Sequence, residues 1–223
     1  MNSFTEENYL KAIYKLMEQA EGPVNTNSIA EKVNTKAATV TDMLKKLAAK
    51  KLVHYTKYKG VSLSPGGRKI AISIIRKHRL WELFLVEKLQ FRWNEVHEIA
   101  EELEHIQSPE LVERLDKYLG HPKHDPHGDP IPDTHGRFVN SRSLLLESAE
   151  KGKKYIMTGV VDHKDLFLQH LDEQGFHLGC SIQVTGFTEY DRSLHIKLNR
   201  GKQLYVSNSV AKNILISEAP KHE

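Results

Sequence analysis

The sequence predicts a mainly α protein with a smaller β part: an N-terminal winged helix-turn-helix, a helical middle segment and a small C-terminal β-barrel. Three observations carry that expectation. Apolar residues recur at helical spacing through most of the first 119 positions. One interruption, Val53-His54-Tyr55-Thr56-Lys57-Tyr58, then Lys59-Gly60 and Val61-Ser62-Leu63, reads as a β-hairpin with glycine in its turn. From Lys153 onward, short strands punctuated by Gly179, Gly186 and Gly201 replace the helices.

The first helix is expected from Thr5, as its N-cap, to about Gln19, with Tyr9, Ile13, Leu16 and Met17 facing inward. Gly22-Pro23 ends it. Asn27 or Ser28 opens a short second helix, Ile29 to Val33, and Asn34-Thr35 makes a turn. Thr35 or Lys36 opens a third helix that runs to about Lys51 and turns Val40, Met43, Leu44 and Leu47 inward. Two short helices, a tight turn and a hairpin give the winged helix-turn-helix layout.

Ser64-Pro65-Gly66-Gly67 leads into a long helix from about Arg68 to Lys88. Its apolar positions, among them Ile70, Ile74, Leu80, Trp81 and Leu85, cover more than one face, which calls for partners on two sides and points to a homodimer. A helix from about Asn94 to Ile106 follows, and Ser108 caps another that ends near Leu119-Gly120. The prolines, glycines and histidines between Gly120 and Asp133 mark a loop. Beyond it, strands are expected at Tyr155–Val161, Ser181–Thr188, Leu194–Leu198 and Gln203–Val206, with one helix from about Lys164 to Gln174. The expected domains are 1–64, 65–133 and 153–217, with a linker over 134–152.

The 223 residues contain 39% hydrophobic and 27% charged side chains, enough to build cores and to exclude wholesale disorder. No apolar run approaches the ~18 residues of a membrane span, and the first residues lack the basic-then-apolar build of a signal peptide. Cys180, the single cysteine, rules out an intrachain disulfide and a thiolate metal cluster; it is expected to pack at a strand start. The composition suits a cytoplasmic chain.

Charge is unevenly spread. Residues 1–79 carry 15 Lys/Arg against 6 Asp/Glu, whereas residues 80–133 carry 5 against 13. A basic segment suits a polyanion; an acidic, His-rich one suits a cation. In the basic part, the small and polar residues at the start of the third helix (Ala37, Ala38, Thr39, Thr41, Asp42) suit base edges, and Lys36, Lys45 and Lys46, with Lys57, Tyr58 and Lys59 of the hairpin, suit phosphates. The plainer reading is a lysine-rich exterior, but helix-turn-helix shape with this local charge favours DNA.

In the acidic part, His97, Glu101, Glu104 and His105 fall at i, i+4, i+7 and i+8 and are expected to share one helix face. A solvated acidic face is the commoner explanation of such a pattern. His78 and Glu82, at i and i+4 upstream, shift the balance toward metal. His97-Glu98 is followed by Glu101 where a zinc protease needs its second histidine, and no nucleophile elbow, Walker loop or dinucleotide-binding glycine pattern is present. A bound ion would then be structural or regulatory. Oxygen and nitrogen donors fit Mn(II) or Fe(II), and also Zn(II) or Co(II). A metallohydrolase or metal-storage protein is the competing reading.

Three ordered motifs complete the pattern: Arg76-Lys77-His78-Arg79-Leu80 with Glu82; Val96-His97-Glu98 with Glu104-His105; and Asp125-Pro126-His127-Gly128-Asp129-Pro130-Ile131-Pro132. With them the chain resembles, over essentially its full length, the diphtheria-toxin-repressor and manganese-transport-regulator (DtxR/MntR) family of metal-dependent transcriptional repressors. The resemblance implies a homodimer on double-stranded operator DNA, no small organic substrate, a helical dimerisation domain and an FeoA-type barrel over 153–217. It also implies two metal sites. The primary one would use Asn8, Glu101, Glu104 and His105, where Asn8 departs from the Asp of manganese-selective members. The second would use His78, Glu82 and His97, completed by His163 or Asp165. Glu101 stands where iron-responsive members carry Cys, which favours manganese, with Fe(II) the alternative. Lys11 falls where short manganese regulators place a Glu, so a paired-manganese cluster is not expected. His121, His124 and His127 are read as solvated loop histidines.

Overall fold

Ser3 and Glu6 open the first helix as a reciprocal cap. The Ser3 amide donates to Glu6 Oε2 (2.9 Å) and the Glu6 amide donates to Ser3 Oγ (3.3 Å), satisfying two groups that a helix start otherwise leaves without partners. The cap is therefore Ser3, not Thr5, and α1 runs Phe4–Gln19. This computed structural model describes residues 3–19, 22–56, 59–139, 142–199 and 201–219. The chain divides into two compact units, Met1–Trp81 with Ala100–Leu115 and Pro132–Phe138, and Glu82–Ile99 with Asp116–Ile131 and Val139–Glu223.

In the first unit α2 spans Thr26–Lys32, capped two residues earlier than expected by Asn25, whose side chain accepts from the Ser28 amide (2.8 Å). α3 spans Ala37–Ala49 after Lys36, the position that the sequence offered as its start. β1 (Val53–Thr56) and β2 (Gly60–Leu63) pair antiparallel from Val53↔Leu63 to Thr56↔Gly60, forming the expected hairpin, and Val24 bridges Val61 on its other side. α4 spans Pro65–Leu89. It begins ahead of the expected Arg68 because Ser64 Oγ accepts from the Gly67 amide (3.1 Å) and Pro65, which has no amide hydrogen to leave unpaired, takes the first helical position. Gly67 must lack a side chain, since a Cβ there would lie 2.0 Å from the Leu52 carbonyl oxygen. Leu10, Ile13, Ile29, Val40, Leu44, Leu47, Val61, Ala71 and Ile75 close one core, each large side chain contributing about 1.5–3 kcal/mol of burial before the entropy of ordering it.

α5 (Val96–Leu103) and α6 (Pro109–Tyr118) follow. α5 is shorter at both ends than the expected Asn94–Ile106. Its loss of the last turn places Glu104 and His105 in a turn beyond the helix.

In the second unit β3 (Leu144–Leu145), β4 (Lys154–Val160), α7 (Asp165–Gln174), β5 (Ser181–Phe187), β6 (Leu194–Leu198), β7 (Lys202–Val206), α8 (Asn208–Ala211) and β8 (Ile214–Glu218) build the small barrel. The antiparallel order is β3-β8-β4-β5-β6-β7. Register shifts between Met157 and Gly159 and between Val184 and Gly186 bend the sheet around Tyr155, Met157, Leu168, Leu171, Ile182, Ile196 and Ile214. Cys180 lies in this core, where burial pushes its thiol up, as its expected packing role requires. No helix among the described residues is long and apolar enough to cross a membrane.

Candidate metal centre

Glu7 and Lys11 lie one turn apart on α1 and both are buried, so α1 sends a carboxylate and an ammonium inward. They meet the end of α5. His105 Nδ1 is 2.7 Å from Glu7 Oε2, and Gln107 Nε2 donates to Glu7 Oε1 (3.0 Å). Lys11 Nζ donates to both oxygens of Glu104 (2.7 and 2.8 Å) and to Glu101 Oε1 (3.3 Å). His78 Nδ1 is 2.6 Å from Glu104 Oε2, and His105 Nε2 is 3.8 Å from Glu104 Oε1. The Phe4 ring stacks on His105 with centroids 4.7 Å apart.

Glu104 is fully buried. Burial opposes its charge, but His78 and Lys11 outweigh that and hold the carboxyl below its ordinary range. Lys77 is buried nearby; burial pushes its ammonium down, against the pull of Glu7 and Glu104. Three carboxylates and an imidazole from α1 and the α5 end make a donor set of oxygens and one nitrogen, the chemistry that a hard or borderline divalent cation takes. Glu7, Glu101, Glu104 and His105 do not bring three ligand atoms within 4.8 Å of one another; the Glu104 oxygens are engaged by Lys11 and His78 instead.

Two expectations are corrected here. Asn8 is exposed, and the residue that α1 sends to His105 is Glu7, one position earlier. A step of one residue turns a helix by about 100°, so the two cannot share a direction. The expected common face of His97, Glu101, Glu104 and His105 also fails, because Glu104 and His105 leave the helix and are buried while Glu101 is exposed.

In the second unit Glu82, Asp125 and His127 are all buried and bring ligand-type atoms within 4.8 Å of one another. His97 Nδ1 is 3.3 Å from Glu82 Oε1. His127 is therefore no solvated loop histidine. Its Nε2 is 2.8 Å from the Trp93 carbonyl oxygen, its Nδ1 is 3.7 Å from Glu82 Oε2, and its ring stacks on Trp93 and on His163. Burial alone would lower its pKa, but Glu82, Asp125 and the Trp93 carbonyl together push it up to about 9.

The Asp125-Pro126-His127-Gly128-Asp129 stretch folds tightly because Asp125 Oδ1 accepts from the His127 (2.8 Å) and Asp129 (3.0 Å) amides. Gly128 has φ +89°, and a Cβ on it would lie 2.1 Å from the Thr158 carbonyl oxygen. Of the two barrel residues expected near this group, His163 stacks on His127, whereas Asp165 accepts hydrogen bonds from Asn94 and Gln169 and is not brought there. His78 Nδ1 faces Glu104. His121 is exposed and pairs with Asp116 (2.7 Å).

Glu7, Lys11, Asp125 and His127 were not among the site residues expected from sequence. The i, i+4 spacing of Glu7 and Lys11, and an aspartate two residues before a histidine in a Pro/Gly-rich loop, were the available signals.

Lys36, which precedes α3, and Ala37, Ala38, Thr39, Asp42, Lys45 and Lys46 on it are exposed and Thr41 is half-buried, with Val40, Leu44 and Leu47 on the opposite face. Lys45 pairs with Asp42 (3.1 Å) and Lys46 with Glu6 (3.2 Å). Lys59 is exposed; Lys57 and Tyr58 lie outside the described residues.

The winged helix-turn-helix thus carries the exposed face of α3, and the same unit holds the carboxylate–imidazole corner. Residues 2–61 match the iron dependent repressor N-terminal DNA binding domain, residues 64–133 the iron dependent repressor metal binding and dimerisation domain, and residues 144–218 the FeoA domain. The diphtheria toxin repressor of Corynebacterium diphtheriae is 30% identical over 222 residues, covering 96% of this chain and 97% of that one. The iron-dependent repressor IdeR of Mycobacterium tuberculosis is 36% identical over 128 residues, 57% of this chain and 55% of the relative.

Among solved structures, a manganese-dependent transcriptional repressor in complex with manganese has a TM-score of 0.83 at 31% identity, covering 96% of this chain and all of that one. ScaR with bound Cd2+ has a TM-score of 0.74 at 32% identity, covering 96% of this chain and 99% of that one. The chain belongs to the DtxR family of metal-dependent transcriptional repressors. Family members are DNA-binding repressors and not enzymes, so the metallohydrolase reading falls.

Proposed function

We propose that this chain is a Mn(II)-responsive repressor, acting in the cytoplasm as a homodimer on operator DNA that controls metal-uptake genes. The carrying observation is the corner where Glu101, Glu104 and His105 meet Glu7 and Lys11 of α1. Its donors are oxygen and nitrogen, with no sulfur, which favours Mn(II) over softer ions, although geometry and cell supply also decide selectivity. The likeness to a manganese-dependent repressor solved with manganese supports the same choice.

Glu104, Glu101 and His105 would hold the ion, with Glu7 joining from α1 where Asn8 was expected. Glu82 and His97, with His78 one turn earlier on α4, make the second set, which rests on sequence spacing; His163 would complete it. When bound, the ion supplies positive charge among carboxylates that repel one another. The chain's own part is mechanical. Glu7 ties α1 to the α5 end, and a fixed α1 fixes the helix-turn-helix that packs on it. Two recognition helices of a dimer would then reach successive major grooves about 34–36 Å apart. Lys36, Lys45, Lys46 and the wing, with Lys57, Tyr58 and Lys59, would hold phosphates. Ala37, Ala38, Thr39, Thr41 and Asp42 would face base edges.

An Fe(II)-responsive repressor is the second reading, favoured by relatives named iron-dependent repressors. Titrating an anaerobic DNA-shift assay with Mn(II) and with Fe(II) separates the two: half-maximal binding at the lower free Mn(II) supports manganese, and the reverse order supports iron.

A further inference from the structure

Lys11 is an ammonium on the inward face of α1, where the neighbouring Leu10 and Ile13 are apolar and fully buried. Its Nζ donates to both oxygens of the fully buried Glu104 and to Glu101 Oε1. One tethered cation thus spans two of the carboxylates assigned above to the metal. A divalent ion that coordinates Glu104 must take an oxygen now bonded to Nζ, and two cations sharing a buried carboxylate repel one another strongly at low dielectric. The lysine stem is long and flexible, and Glu101 is exposed, so the ammonium has a way out toward solvent.

We propose that Lys11 competes with the divalent ion for Glu104 and Glu101, and so sets the metal concentration at which this repressor responds. The inference rests on the reading of that corner as the metal site. Before metal binds, Lys11 docks α1 on the α5 end; on binding, its ammonium swings away and the ion takes over the carboxylates. The lysine is then a threshold element built into the first helix and takes no part in coordination itself. A purely structural ion pair would stabilise α1 equally well but would leave metal affinity unchanged when its charge is removed.

The test is Mn(II) titration calorimetry on the full-length chain and on Lys11→Met, Lys11→Gln, Lys11→Arg and Glu104→Gln variants, with metal-free thermal unfolding of each. Lys11→Met and Lys11→Gln are expected to bind Mn(II) about tenfold tighter or more at the Glu104-dependent site, to unfold at lower temperature without metal, and to gain more from Mn(II) than wild type. Lys11→Arg keeps the charge and should stay near wild type. If Glu104→Gln abolishes binding while folded Lys11→Met or Lys11→Gln binds no tighter than wild type, the competition is overturned and the metal site stands. If Glu104→Gln leaves Mn(II) binding intact, the assignment of the site falls and the competition falls with it. Glutamine keeps the length and a neutral donor, so it serves if the methionine chain does not fold.

Discussion

Glu7 and His105 stand 98 positions apart in sequence, yet Glu7 Oε2 is 2.7 Å from His105 Nδ1. That bond ties the first helix to the turn after α5. Glu7 is therefore expected to count for metal response and Asn8 not to. Glu7→Ala should raise the Mn(II) needed for half-maximal DNA binding by about tenfold or more, the scale of losing one site partner. Asn8→Ala, an exposed substitution, should change folding stability by no more than about 0.5 kcal/mol and shift the metal titration little. A DNA-shift titration of both variants checks the pair.

Glu104 faces Lys11, His78 and His105 at the corner. Glu104→Ala removes the main partner of the Lys11 ammonium, which keeps Glu101 and a path to solvent, so the loss is expected at about 1–3 kcal/mol. Urea unfolding of the metal-free protein should show that loss. The DNA-shift assay on the folded fraction should show binding that no longer answers to Mn(II).

Glu6 predicts an acid-sensitive junction of α1 with α3. Burial alone would raise its carboxyl, but hydrogen bonds from Lys50, Ser3 and Lys46, with the Lys46 charge, lower it from 4.5 to about 2. A depressed folded pKa stabilises the fold fully above the unfolded value and loses that contribution as pH falls through the folded one. The thermal midpoint should therefore drop between pH 4.5 and 2, and Glu6→Gln should show a smaller drop from a lower starting point. At neutral pH that variant should be less stable by about 1–3 kcal/mol.

Much of this was legible in the sequence. Periodicity found the helices of the first unit and the hairpin because each buries its own stripe against near neighbours. Boundaries slipped where side-chain hydrogen bonds decide them, as with Ser3–Glu6 and Asn25–Ser28. β3, two residues long, and β8 were not read as strands: they exist through pairing with each other and with β4, a long-range fact that no local pattern carries. Glu104 and His105 stand together at the carboxylate–imidazole corner, but the α1 residue beside them was assigned to Asn8 by resemblance, whereas the helix turns Glu7 inward. His127 looked solvated because its loop is rich in proline and glycine. It is buried because Asp125 captures the His127 and Asp129 amides and closes the loop.

Gly128 tests that last point. An alanine there would need φ near +89° and would press its Cβ to 2.1 Å from the Thr158 oxygen. Gly128→Ala should destabilise the protein by about 2–4 kcal/mol, and a shift of the His127 ring resonances should accompany it. Gly120→Ala, also at positive φ but with nothing within 4 Å of the added carbon, should cost less, and unfolding midpoints of the two compare them directly.

The most direct measurement is specific DNA binding by the wild-type chain in EDTA, followed by stepwise return of free Mn(II), with Glu7→Ala beside it. Wild type should lose binding in EDTA and recover it with Mn(II), and Glu7→Ala should recover only at much higher Mn(II). Undiminished operator binding in EDTA, or identical recovery by the two chains, would contradict a metal ion fastening α1 to Glu104 and His105.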